Sequence, residues 1–170
     1  MSFQALTLRA PGIAQSIAIP VIAGQSATLC QKFGITKIEA DVLALIDTGS
    51  TNTSVSNRLA AGLGLAIIEQ CWVDAAGGTH QANVYSIDIL LRNMVNFTNI
   101  RAAEFVRTTQ IFDIIIGMDI LTLGDLAITN HGHQTVLSFR VPPDTKHIDF
   151  VPAAKDEDNR GQNEGNIQDS

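Results

Sequence analysis

The run Ile38–Ile46 carries apolar side chains on both faces of an extended chain, with Ile38, Ala40, Val42, Ala44 and Ile46 on one face and Leu43 and Leu45 on the other. A strand of that kind has to be covered from both sides, so it belongs inside a layered or closed sheet. It leads directly into Asp47-Thr48-Gly49-Ser50, which sets a carboxylate at the end of a strand built for burial. Such a group is costly there unless it is paired or hydrogen-bonded. Two hydroxyls, backbone N–H groups and a glycine without Cβ are at hand to do that. An Asx-type turn, in which Asp47 merely satisfies nearby amides, is the simpler reading.

The rest of the chain repeats the theme of short β-branched runs separated by turn signals. Ser16–Ile22, Asp113–Ile116, Leu126–Thr129 and Thr135–Val141 read as strands, as does Tyr85–Leu91 with Ser86, Asp88 and Leu90 on its wetter face. Asn130-His131-Gly132-His133 is a hairpin connection in which Asn and Gly accept positive φ. Pro142-Pro143 ends the ladder by removing two donors. Helical signal is brief: Ser56 can cap a helix over Asn57–Ala61 that Gly62 terminates, and Met118–Leu123 can form another turn or two before Gly124. Many short strands with one or two short helices predict a mostly β fold, a closed barrel or sandwich.

With 170 residues, of which 45% are hydrophobic and 16% charged, the chain can bury a real core, and global disorder is excluded. A net charge of -6 argues against any broad role in binding nucleic acid or anionic membrane. Aromatics at 5% leave little for a stacking platform. No apolar run reaches the roughly 18 residues of a membrane helix, so no membrane insertion is expected. Pro11, Gln15, Ser16 and Pro20 interrupt the only stretch that could pass for a secretory leader. Cys30 and Cys71 form no CxxC pair and no metal-ligand spacing, and the expected setting is a reducing, cytoplasmic one. The organisation expected is an N-terminal extension over residues 1–15, one domain over 16–141, a connector over 142–152 and an acidic, disordered tail over 153–170. Residues 151–170 hold five acidic and two basic side chains and little to bury.

A second segment changes the weight given to Asp47. Asp113-Ile114-Ile115-Ile116-Gly117-Met118-Asp119 begins 66 positions further on and is again an apolar strand running into Gly and a short helix. Together with Val42–Gly64 it resembles the retropepsin-like (retroviral-type) aspartic proteases, in the manner of the free-standing bacterial members. The resemblance extends over roughly Ser16 to Val141. It implies a closed acid-protease β-barrel with a flap hairpin and no metal or organic cofactor. Residue by residue, it implies that Asp47 is the catalytic aspartate and that the Thr48 hydroxyl ties two active-site loops together. It makes Gly49 the source of an N–H that supports the carboxylate, and Ser50 the partner of its outer oxygen. Ile115, Ile116 and Gly117 match the segment packed beneath the catalytic loop.

This chemistry needs two carboxylates sharing a proton, because like charges a few ångströms apart cannot both ionise. The chain holds one Asp-Thr-Gly, so it offers half a site, and a two-fold homodimer is the expected catalytic unit, acting on a peptide or protein substrate. Asp113 and Asp119 are poor substitutes, since neither sits on a Thr-Gly loop. Between Trp72 and Tyr85 two runs that can pair flank Ala76-Gly77-Gly78, the expected flap tip. His131 and His133 straddle a turn without a third convergent ligand, and His80 and His147 are isolated. Two features depart from the retroviral pattern. Met118 stands where an arginine usually follows the second glycine, and Pro142-Pro143 with a polar tail suits an interleaved terminal sheet badly. The alternative is therefore a retropepsin-fold module that dimerises and binds peptides without cutting them.

Overall fold

The computed structural model describes residues 4–75, 78–92, 94–107 and 111–149. In chain order its elements are β1 (Gln4–Arg9), β2 (Ala18–Gln25), α1 (Ala27–Phe33), β3 (Glu39–Ile46), β4 (Ser54–Ser56), α2 (Asn57–Gly62) and β5 (Ile67–Ala75). There follow β6 (Gly78–Leu91), β7 (Asn96–Phe105), β8 (Ile114–Ile116), α3 (Met118–Leu121), β9 (Asp125–His131) and β10 (Gln134–Val141). The large sheet has the order β2-β3-β8-β4-β7-β6-β5, and an additional β2–β6 pairing closes its first six strands into a barrel. β5 hangs from the outer side of β6 as a hairpin arm. A separate three-stranded sheet has the order β1-β10-β9.

The barrel closes around branched aliphatic side chains. Val21, Val55, Ile87, Ile89 and Ile114 are wholly shielded from solvent, and Leu91, Ile116 and Ile120 nearly so. At about 25 cal/mol per Å2 of apolar surface removed from water, this interior is the main favourable contribution to folding. β6 shows how one strand serves two ends of the molecule: Gly78–Gln81 are exposed in the hairpin arm, while from Ala82 onward most side chains are buried in the barrel wall.

Local signals set the short helices. Ser56 caps α2 by accepting the Leu59 N–H at 3.0 Å. α1 is capped by Ser26 and stopped by Gly34 in the left-handed region at φ 65°, signals present in the sequence but not read as a helix there. The β9–β10 turn takes its positive φ at Gly132 and His133 (58° and 59°) rather than at Asn130, which is paired with Thr135 in the ladder. That is a two-residue loop of the type whose twist matches the flanking strands.

Two expectations are corrected. Asp88, assigned to a wetter face, is 3% exposed. It accepts the N–H groups of Ala27 and Asn99, both at 2.9 Å, and faces the Lys37 ammonium at 3.0 Å. Burial acts to lower the Lys37 pKa, but Glu39 and Asp88 together hold it above its ordinary value. The strand through Leu43 and Leu45 is not covered equally on both sides. Ala44 is shielded completely, whereas Leu43 and Leu45 are half-buried on a face that looks out beside Asp47.

Residues 4–9, set apart above within an N-terminal extension, form β1 and pair with β10 from Gln4↔Val141 to Arg9↔Val136. The tail over 153–170 lies outside the described residues.

Candidate active site

Asp47 is the first residue beyond β3, and its position is set by that strand's parallel neighbour. Ala44, Leu45 and Ile46 pair with Ile114, Ile115 and Ile116, and the ladder continues one step further as the Asp47 N–H donates to the Ile116 carbonyl at 3.1 Å. The Gly49 N–H donates to Asp47 Oδ1 at 2.9 Å, and the Ser50 N–H to the Asp47 carbonyl at 3.2 Å. Among the described residues Oδ2 accepts no hydrogen bond, and Asp47 is half-buried. One carboxylate oxygen is therefore fixed by the loop while the other is presented outward.

Ser50 does not take the role the resemblance implied for it. Its hydroxyl donates to the Asn52 carbonyl at 2.8 Å, because Ser50 has already turned away from the carboxylate and serves the next bend of the loop. Thr48 and Gly49 are exposed at the loop tip.

The second motif lies against this loop at very close range. A Cβ on Gly117 would sit 2.6 Å from the Asn52 carbonyl carbon and 2.9 Å from the Ser50 carbonyl oxygen, so only glycine allows the approach. Just after it, the Met118 N–H donates to the Ser50 carbonyl at 2.9 Å and the Asp119 N–H to the Thr51 carbonyl at 3.2 Å. The Asp119 carboxylate accepts the Thr53 N–H at 3.0 Å and the Thr53 hydroxyl at 2.8 Å. Thr53 is itself fully buried. Asp119 and Thr53 are functional neighbours that the sequence reading missed. Thr53 lies in the polar run Ser50–Ser54, and nothing in the sequence marks it as the partner of Asp119.

Behind the loop, Asp113 anchors the start of β8. It is 3% exposed and accepts from the Ser56 hydroxyl at 2.7 Å and from Arg58 at 2.6 Å, with Arg107 at 3.4 Å. Burial acts to raise its pKa, but the hydrogen bonds from Arg58 and Ser56 and the charges of Arg107 and Arg58 outweigh it. The carboxyl is held below the usual carboxylate range.

Across β3, β8 and β4 the register aligns Leu45, Ile115 and Ser54. All three are half-buried on the face that Asp47 shares, while Ala44, Ile114 and Val55 on the opposite face are wholly buried. The row makes a mainly apolar floor beside the carboxylate. Ile115 thus faces outward and Ile116 inward. The β5–β6 hairpin pairs from Ile67↔Tyr85 to Ala75↔Gly78. Gly78 sits at its tip with φ 106°, while Ala76 and Gly77 lie outside the described residues. No hydrogen bond among the described residues joins the hairpin tip to the Asp47 loop. His80, His131, His133 and His147 are all exposed. No three His, Cys, Asp or Glu side chains among the described residues are grouped to hold a metal ion. No helix among them is long and apolar enough to cross a membrane.

A six-stranded closed barrel, an Asp-Thr-Gly loop at the end of one strand and an apolar-Gly segment locked beneath it together define a retropepsin-like aspartic protease architecture. The chain belongs to the gag-polyprotein putative aspartyl protease family, whose model matches residues 37–122. It is similar in structure to a retropepsin-like aspartic protease from Rickettsia conorii, with a TM-score of 0.50 and 12% identity over 83% of this chain and 97% of that one. The retroviral protease-like domain of Ddi1 from Leishmania major matches with a TM-score of 0.40 and 18% identity over 68% of this chain and 82% of that one. No curated protein sequence matches.

Proposed function

We propose that this chain is an aspartic endopeptidase active as a homodimer, in which Asp47 of two copies forms the catalytic dyad. The observation that carries the reading is the state of the Asp47 carboxylate, with Oδ1 held by the Gly49 N–H at 2.9 Å and Oδ2 open. A single such group cannot act as base and acid at once. Two brought together by a two-fold axis share one proton, the ionised member taking a proton from water while the protonated one polarises the scissile carbonyl. The pair titrates as a unit, so activity is expected at acidic to near-neutral pH.

The substrate is an extended, partly apolar peptide segment. Leu45 and Ile115 offer it half-buried aliphatic surface next to the dyad, and the β5–β6 hairpin is the element that would close over its backbone and exclude water. Thr48 is exposed at the loop tip, which supports a contact with the loop of a second copy. Cys30 and Cys71 are both free thiols, which supports a reducing, cytoplasmic setting.

The test is cleavage of a degenerate, unstructured peptide library, read by mass spectrometry from about pH 4 to 7. Wild type and Asp47→Asn are compared at high protein concentration. Cleavage by wild type alone establishes the protease, and the cut sites report the preference of the Leu45–Ile115 floor. A dimeric protein that cuts nothing is instead a peptide-binding module. Equal cleavage by both proteins removes Asp47 as the catalyst.

A further inference from the structure

The β1-β10-β9 sheet leaves one strand in a telling position. β10 is flanked on both sides by its own chain, by β1 from Gln4↔Val141 to Arg9↔Val136 and by β9 from Gln134↔His131 to Arg140↔Asp125. No edge of β10 is left for a strand of another molecule to enter. Among the described residues the free edges of the sheet are those of β1 and β9, and β9 pairs with β10 alone. β9 is also the strand that leaves α3, the short helix whose first residues are hydrogen-bonded to the Asp47 loop. The outer edge of β1 lies two strand spacings further across the sheet, about 10 Å.

We infer that the second copy docks on the free edge of β9, pairing β9 antiparallel with its own counterpart in a register centred on Ile128. This rests on the dimeric reading of the site. Ile128 belongs to the apolar row Leu8–Leu137–Ile128 on the core-facing side of the sheet, yet it is 48% exposed because the sheet ends there. In the two-fold register each Ile128 covers the other, a favourable cross-strand pair. The same register sets Asp125 opposite His131 of the second copy and Ala127 opposite Thr129, so that no like charges face each other. The edge itself lacks the usual safeguards against pairing, having no proline, no lysine and no bulge over Asp125–His131. The dimer then contains a continuous six-stranded sheet with β1 and β10 of each chain paired within that chain, and the symmetry axis passes beside the strand that follows α3 and the Asp47 loop bonded to it.

The test uses the full chain. Sedimentation velocity over a wide concentration range compares wild type with Ile128→Lys, which sets like charges opposite each other on the axis. Oxidative cross-linking compares Ile128→Cys with Thr7→Cys on the β1 edge, both in a Cys71→Ser background. Ile128→Lys is expected to weaken dimerisation by at least about tenfold. Ile128→Cys is expected to cross-link rapidly, since opposed strand residues lie about 4.5–5.5 Å apart at Cα, within disulfide reach. Thr7→Cys is expected not to cross-link. An unchanged dimer constant in Ile128→Lys, or cross-linking through Thr7→Cys alone, overturns the β9 interface and leaves the protease reading standing. A β9-paired dimer that cleaves no peptide supports the interface and sinks the protease. A protein that stays monomeric at every concentration, with and without peptide, overturns both.

Discussion

The Asp119 carboxylate accepts both the backbone N–H and the hydroxyl of Thr53, at 3.0 and 2.8 Å. The Thr53 oxygen in turn lies 3.3 Å from the Gly117 N–H. This small cycle closes the loop that begins at Asp47, so the orientation of the candidate catalytic group depends on residues behind the loop. Removing the hydroxyl with Thr53→Val strips the half-buried Asp119 carboxylate of a charge-assisted partner and leaves the Gly117 N–H without its acceptor. The expected cost is about 1.5–3 kcal/mol, measured by urea denaturation. Thr53→Ser, which keeps the oxygen, should recover most of it, and peptide cleavage should follow the same order.

Gly117→Ala is expected to act on geometry more than on the core. The new methyl meets main-chain atoms of Asn52 and Ser50, which cannot rotate away. The loop must shift, costing about 1–3 kcal/mol, and displacement of Asp47 by even 1 Å should lower cleavage by about 100-fold. Gly62→Ala is the matched control. Its Cβ meets nothing within 4 Å, it lies in α2, and it should stabilise the protein by about 0.5–1 kcal/mol. Thermal denaturation and peptide cleavage of the two variants check both statements.

Asp113 makes stability depend on acid. Its folded pKa is depressed by Arg58, Ser56 and Arg107 despite burial. The stabilisation is therefore complete above the unfolded value of about 3.9 and disappears as pH falls through the folded one. Asp113→Asn should cost about 3 kcal/mol at neutral pH. The gap between wild type and variant should close below about pH 4. Urea midpoints measured from neutral to strongly acid pH give the curve, and a gap that does not vary with pH would contradict the linkage.

Gly78 tests the hairpin. Its φ of 106° is one that a β-branched residue adopts only with strain. Because the tip is exposed and outside the barrel core, Gly78→Val should barely move the global melting temperature. It should still lower kcat/KM by about tenfold if the hairpin must close over bound peptide. Unchanged cleavage kinetics would mean the hairpin takes no part in the reaction.

The sequence by itself determined the class of fold and pointed to a candidate reactive group. An aliphatic run ending in Asp47-Thr48-Gly49 and a second ending in Gly117 are local patterns that can be read along the chain, and their resemblance to the retropepsin-like proteases is what singled out Asp47. Strand existence was equally legible wherever apolar residues alternated or clustered. What the tertiary structure alone decided was pairing. Gln4–Arg9 fell within the expected N-terminal extension, and pairing with β10 is what makes it a strand of the sheet. Asp88 read as solvent-facing because its strand alternates, yet α1 and β7 supply the two N–H groups that make its burial tolerable. Ser50 was assigned to Asp47 by analogy of position, and the backbone turn gave its hydroxyl to Asn52 instead. Asp119 and Thr53 stand 66 residues apart, and a hydrogen bond across that separation leaves no period in the sequence to detect. Local chemistry is written along the chain, whereas the partners that hold it in place are fixed only when distant strands come into register.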